Sequence, residues 1–366
     1  MDKKFVMGIA AMAALTLVSC SSDDLDSFSD NSSKNEAISF DGYLGRSAVA
    51  VNGSRGSVLD KPALQNLSET DGAFGVFGNY SKEGATEGYG QNLFKNQKVF
   101  YSNSEWTYTP YKYWLPKGHI DFLAYAPYDA TKTALTDSKS KISFTVVEDI
   151  AKQKDLLWAN AAGQKQTNNP VTFTFNHALS RLGYTVKLKK DCSEDVIIKL
   201  KKITLAGAAD GTTPAFYTSG TIDLSKANKE ANLWSGYGSK QNFDWLTKEY
   251  KVTSSTPHHP NKTVDNCDRN QEDDYLFVIP QDFSSSATDK LYVIVEYTIQ
   301  YNDISEVFTN KVSKQIIQKF EQGKAYMINL TIGRPIDFNV DVVTDWTNTT
   351  DNVETNYPID SWDDIR

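Results

Sequence analysis

The sequence predicts an all-β chain built as two tandem β-sandwich domains, and three observations predict it. Apolar residues recur with a period of two in short runs such as Ile142-Ser143-Phe144-Thr145-Val146 and Val171-Thr172-Phe173-Thr174-Phe175. That period puts alternate side chains on one buried face. The runs are rich in Tyr, Phe, Val, Ile and Thr, which suit a half-buried pleated surface. Gly, Pro, Asn and Ser bound them at the spacing of sandwich folds, and no long amphipathic helical pattern interrupts them. No fixed-period repeat is present, which argues against a propeller or solenoid.

The first residues are of a different kind. Lys3 and Lys4 precede an apolar run from Phe5 to Val18. That run is shorter than the about twenty residues needed to cross a hydrocarbon core, so it reads as a signal-peptide core. It ends in Leu17-Val18-Ser19-Cys20, the lipobox pattern, in which Cys20 takes the lipid and residues 1–19 are removed. Residues 20–36 are mostly Ser, Asp and Asn. They lack the apolar surface to offset the entropy of ordering and read as a flexible tether.

Order begins at Ala37-Ile38-Ser39-Phe40, an alternating strand that continues through Tyr43 and Leu44. A small-residue stretch with Arg46 and Arg55 follows, then the short apolar run Phe74-Gly75-Val76-Phe77. Lys98–Tyr101 and Trp106–Tyr108 flank Ser102-Asn103-Ser104, a hairpin signal. Ile120–Tyr125 is a strand stopped at Pro127, since proline cannot donate to a ladder. Asp149–Trp158 suggests a helical turn or two. The boundary is placed so that residues 37–175 form the first domain and 176–366 the second, which carries a polar tail. In the second domain, strands are expected at Tyr184–Leu188, Val196–Leu205, Gly220–Leu224, Tyr275–Ile279, Leu291–Ile299, Val307–Val312, Tyr326–Ile332 and Val340–Trp346. Ser225–Lys248 reads as a polar stretch.

The formal charge is −8. Residues 1–19 hold Asp2, Lys3 and Lys4, so their removal leaves about −9. An acidic chain has no electrostatic footprint for nucleic acid, and none is expected as a partner. Besides Cys20, Cys192 and Cys267 do not make a disulfide framework. None of the histidines His119, His177, His258 and His259 lies near a Gly-x-Ser-x-Gly, so no nucleophile–base pair is nameable and no enzyme is expected. His177 reads as a hydrogen-bonded packing residue. His258, His259 and Cys267 match no usual zinc spacing, and the acidic residues of 265–274 lack the EF-hand order. No metal or other cofactor is expected. Trp106, Tyr108, Tyr111 and Trp114 form an aromatic cluster that suits either a packed core or a sugar-stacking surface.

Several stretches together resemble the fimbrillin family of Bacteroidota, the lipoprotein subunits of type V pili. They are the lipobox at Cys20, Ile38-Ser-Phe-Asp-Gly-Tyr-Leu44 followed by Arg46, and Trp114-Leu-Pro with Ile120-Asp-Phe-Leu-Ala-Tyr-Ala-Pro127. To these belong Asp155-Leu-Leu-Trp-Ala159, Val171-Thr-Phe-Thr-Phe-Asn-His-Ala178 and Phe320-Glu-Gln-Gly-Lys-Ala-Tyr-Met-Ile-Asn-Leu330. Asp23 and Asp24, just after the cysteine, are similar to the surface-export signal of such lipoproteins. The resemblance implies transthyretin-like sandwich domains and attachment to the outer membrane at the cell surface through acylated Cys20. It also implies that an arginine-specific protease cuts after the first strand, with Arg46 the first candidate and Arg55 the second. The strand removed would be the one carrying Ile38, Phe40 and Leu44. Another pilus subunit would then fill the vacated groove by β-strand addition. In the C-terminal tail, Val353, Tyr357, Ile359, Trp362 and Ile365 alternate only loosely among aspartates. Stalk, tip and anchor subunit therefore stand as alternatives, beside a surface glycan-binding lipoprotein that keeps its lipid and uses the aromatic cluster.

Overall fold

The computed structural model describes residues 36–44, 64–66, 72–86, 88–132, 134–136, 139–188, 196–226, 233–246, 249–252, 275–303, 305–332 and 337–343. Cys20, Arg46 and Arg55 lie outside them, as do His258, His259, Cys192 and Cys267. The described chain is all-β, as the period-two pattern predicts. Its first eight strands are β1 (Phe40–Leu44), β2 (Phe74–Ser81), β3 (Phe94–Ser102), β4 (Glu105–Thr107), β5 (His119–Ala126), β6 (Lys141–Thr145), β7 (Leu157–Gln164) and β8 (Val171–His177). Between β6 and β7 the expected helical turn is a single 3-10 turn, Ile150–Lys152.

Seven of these strands form one sheet in the order β1-β8-β7-β5-β2-β3-β4. Neighbours are antiparallel except β1 and β8, which run parallel with Phe40 opposite Val171 and Leu44 opposite Phe175. The sheet curls until its end strands β1 and β4 lie against each other. Inside the curl is a core built from Ile38, Phe40, Phe74, Phe94, Trp106, Tyr108, Trp114, Phe122, Phe173 and Phe175, among others. The expected hairpin forms between β3 and β4, with Asn103 and Ser104 at positive φ in its turn.

The later strands are β9 (Ser180–Leu188), β10 (Val196–Ala206), β11 (Phe216–Tyr217), β12 (Ser219–Asp223), β13 (Trp234–Ser235), β14 (Lys240–Gln241), β15 (Phe243–Leu246) and β16 (Tyr250–Lys251). They continue with β17 (Leu276–Val278), β18 (Gln281–Asp282), β19 (Leu291–Tyr301), β20 (Val307–Ile316), β21 (Lys319–Phe320), β22 (Ala325–Ile332) and β23 (Asp337–Val343). One sheet has the order β15-β10-β19-β20, and another β17-β9-β22-β23. Their apolar faces enclose a second core that includes Tyr184, Leu200, Phe243, Phe277, Val293 and Ile328.

Two features tie the halves together. β6 leaves the first sheet and pairs antiparallel with β12, Ile142 opposite Ile222. β5 is buried along nearly its whole length. Its Ile120, Phe122 and Ala124 enter the first core, while Leu123 and Tyr125 enter the second. A strand covered on both faces has no polar side, which is why Ile120–Tyr125 is an almost unbroken apolar run. The polar reading of Ser225–Lys248 is corrected: the stretch carries β13, β14 and β15, and Trp234, Phe243 and Trp245 are buried. Strands of two to four residues are too short to show a period.

Candidate functional site

Among the described residues, the first strand pairs with partners far from it in sequence. Residues 36–38 run antiparallel to 112–114: Ile38 N–H donates to the Lys112 carbonyl at 2.8 Å, and Trp114 N–H to the Glu36 carbonyl at 3.0 Å. At Ser39 the chain switches partner. Val171 N–H donates to the Ser39 carbonyl at 2.9 Å, and the parallel ladder with β8 follows.

Two side chains clasp this crossover. The Tyr108 hydroxyl donates to the Ile38 carbonyl at 2.8 Å and accepts from Lys112 N–H at 3.2 Å. Burial is the main cause of its pKa rising to about 12, with the Lys112 hydrogen bond opposing the shift. Asn169 uses both ends of its amide. Its Oδ1 accepts from Ser39 N–H at 2.9 Å and Ser39 Oγ at 3.0 Å, and its Nδ2 donates to Glu36 Oε1 at 2.7 Å and the Ala37 carbonyl at 3.1 Å. Lys112 is half-buried with its ammonium 5.5 Å from the Phe94 ring centre. Its pKa is lowered, first by burial and then by Lys95.

Side chains of the strand alternate as the sequence predicts: Ile38 and Phe40 are buried and Asp41 is exposed. The Phe40 ring lies 5.4–5.7 Å from four others, Phe94, Tyr108, Phe122 and Phe173. Burying such a side chain is worth about 1.5–3 kcal/mol. Gly42 is the next inward position. A Cβ there would meet Phe74 at 3.5 Å, Trp106 at 3.5 Å and Phe175 at 3.6 Å. Leu44 is the last residue of β1, opposite Phe175.

The four aromatics read as a core or a ligand surface do not share a face. Trp106 (9% exposed), Tyr108 (2%) and Trp114 (2%) are in the first core, while Tyr111 is 55% exposed. Tyr111 packs its ring 5.5 Å from Tyr108 and places its hydroxyl 3.1 Å from Thr107 Oγ1. Asn169 and Gly42 were not singled out by the sequence. The alternation Ile38-x-Phe40-x-Gly42 already placed the glycine inward, whereas nothing local marks Asn169. Elsewhere, His177 is buried and pairs through Nδ1 with Asp155 Oδ2 at 2.7 Å, in line with its reading as a packing residue. Among the described residues no cluster of three or more His, Cys, Asp or Glu is placed to hold a metal ion, and no helix is long and apolar enough to cross a membrane.

A curled β-sheet whose edge strand β1 is paired, among the described residues, with partners remote in sequence defines the class, an all-β protein with a seated first strand. The chain belongs to the fimbrillin-like family, whose sequence profile matches residues 63–351. Fimbrium subunit Fim1C of Phocaeicola vulgatus is 25% identical over 209 residues, 50% of this chain and 51% of its own. The chain thus spans about half the length of that curated relative. A crystal structure of a fimbrial protein from Bacteroides vulgatus shares the fold, with a TM-score of 0.62 at 17% identity over 84% of this chain and 98% of that one.

Proposed function

We propose that this chain is a non-catalytic pilus subunit, exported to the cell surface as a lipoprotein acylated on Cys20 and assembled by exchange of its first strand. An arginine-specific protease cuts at Arg46, two residues beyond the end of β1. Cys20, the tether and β1 then leave together, and a strand from another subunit takes the seat. The observation that carries this reading is the seating of Phe40 among four rings by a strand whose hydrogen bonds to described residues reach partners at least seventy positions away. Such a strand is a guest in its own domain. Its departure opens an apolar slot, orphans the Val171 N–H and takes the Ile38 donor from the Lys112 carbonyl, groups that another strand satisfies in the same geometry. An open edge of this kind otherwise aggregates, so cleavage is expected to be coupled to assembly.

The test is the N-terminus of the subunit in surface filaments. A sequence starting at Ser47 is expected, and Arg46→Ala should leave the chain starting at Cys20, membrane-bound and outside the polymer. Filaments built from chains that all begin at Cys20 would overturn the exchange.

A further inference from the structure

The seat of β1 has two kinds of reader, one for backbone and one for side chains. Tyr108 and Asn169 contact the Ile38 carbonyl, the Ser39 N–H and the Ala37 carbonyl, groups that almost any strand presents, while Asn169 also meets two polar side chains, Ser39 Oγ and Glu36 Oε1. The backbone contacts fix register without selecting sequence. The inward positions differ sharply in room. Position 40 is a ring-lined pocket filled by Phe40. Position 42 has no pocket: Phe74, Trp106 and Phe175 close over the glycine. These three are themselves buried and packed together, Phe74 lying 4.9 Å from Trp106 and 5.3 Å from Phe175 between ring centres. A methyl group at position 42 makes ordinary contacts at 3.5–3.6 Å, but a further carbon forces a packed ring to move.

We propose that the seat selects a strand carrying a large aromatic residue followed two positions later by glycine or alanine. Its occupant after β1 departs is a strand of that pattern from a different subunit, and not segment 344–366 of a second copy of this chain. In that segment the aromatics Trp346, Tyr357 and Trp362 are followed two positions on by Asn348, Ile359 and Asp364. None is small enough for position 42. The same contrast fixes register, because a slip of two residues drives an aromatic ring into the closed position. The inference rests on the strand-exchange reading above and adds to it the identity of the acceptable strand.

The experiment uses the full chain with a specific-protease site in place of residues 46–50. After cutting, it is offered fluorescent peptides in excess. The parent peptide is Glu-Ala-Ile-Ser-Phe-Asp-Gly-Tyr-Leu, residues 36–44. The others are its Gly42→Ala and Gly42→Leu versions and a peptide of residues 344–366. The parent and Gly42→Ala peptides should enter the seat, while Gly42→Leu and 344–366 bind roughly ten- to a hundredfold more weakly. Equal binding of the parent and Gly42→Leu peptides would overturn the selectivity. Binding of 344–366 as tight as the parent would overturn the assignment to a different subunit. Entry by none of them, the parent included, would instead overturn strand exchange itself. The variant peptides leave the host chain unchanged, so no outcome depends on a substituted protein folding.

Discussion

The Tyr108 hydroxyl hydrogen-bonds the Ile38 carbonyl at 2.8 Å across seventy residues of sequence, inside the first core. It is a latch on the first strand. Tyr108→Phe keeps the ring contacts with Phe40 and Phe94 and leaves a buried carbonyl without that donor. A loss of about 1–2 kcal/mol is expected. The loss should be local, so amide exchange at Ile38, Phe40 and Val171 should quicken while β19 and β22 keep their protection. Uniform acceleration throughout the chain would show that the bond does not act on the strand.

The same hydroxyl gives the fold an alkaline limit. Burial raises Tyr108 and Tyr326 to about 12 and pushes Tyr125 higher still, each from an ordinary value of 10.0. Because the folded values lie above the unfolded ones, the unfolded chain releases these protons first as pH rises. Stability should therefore be level below about pH 10 and fall steadily from there towards pH 12. Melting temperature against pH, read beside phenolate absorbance, checks it. A melting temperature that is flat between pH 10 and 12 would contradict the assignment.

Phe40 and Asp41 are neighbours with opposite fates, one buried among rings and one exposed. Phe40→Ala should cost about 3–5 kcal/mol through lost transfer energy and the cavity left behind. Asp41→Ala should stay within about 0.5 kcal/mol. Denaturant unfolding of the two variants measures the contrast. Comparable losses would mean that β1 contributes through its backbone alone.

Much of this was legible because the relevant signals were local. Val171-x-Phe173-x-Phe175 is buried at alternate positions as its spelling implies, and Ser102-Asn103-Ser104 joins two paired strands. The inward set Ile38 and Phe40 was readable for the same reason. What escaped is non-local. Neither β1 nor β8 contains anything that dictates parallel pairing across some 130 residues, and β6 shows no sign that its partner is β12. Asn169 is recognisable only once the crossover at Ser39 is known. The aromatic cluster at 106–114 was ambiguous because aromatic density does not say which face a ring takes. The curl of the sheet turns Trp106, Tyr108 and Trp114 inward and leaves Tyr111 outside.

Asp155 and His177 sit where the chain passes from one core to the other. Leu156 packs in the second core and Leu157 in the first, while Phe175 belongs to the first and Ala178 to the second. The Asp155 carboxylate accepts from Leu156 N–H at 2.8 Å and lies 2.7 Å from His177 Nδ1, and Ala178 N–H donates to the Leu156 carbonyl. With Asp155 fully buried and His177 nearly so, the hydrogen-bonded pair is shielded from solvent, where leaving one polar partner unsatisfied costs most. Asp155→Ala should destabilise the chain by roughly 3 kcal/mol, and Asp155→Asn by less, since an acceptor oxygen remains. In a double-mutant cycle with His177→Ala, a coupling of about 1–3 kcal/mol is expected. Because the pair anchors residues feeding both cores, both halves should lose stability together, seen as a common shift in exchange protection for β5 and β9. Coupling below about 0.5 kcal/mol, or loss confined to one half, would reduce the contact to packing alone.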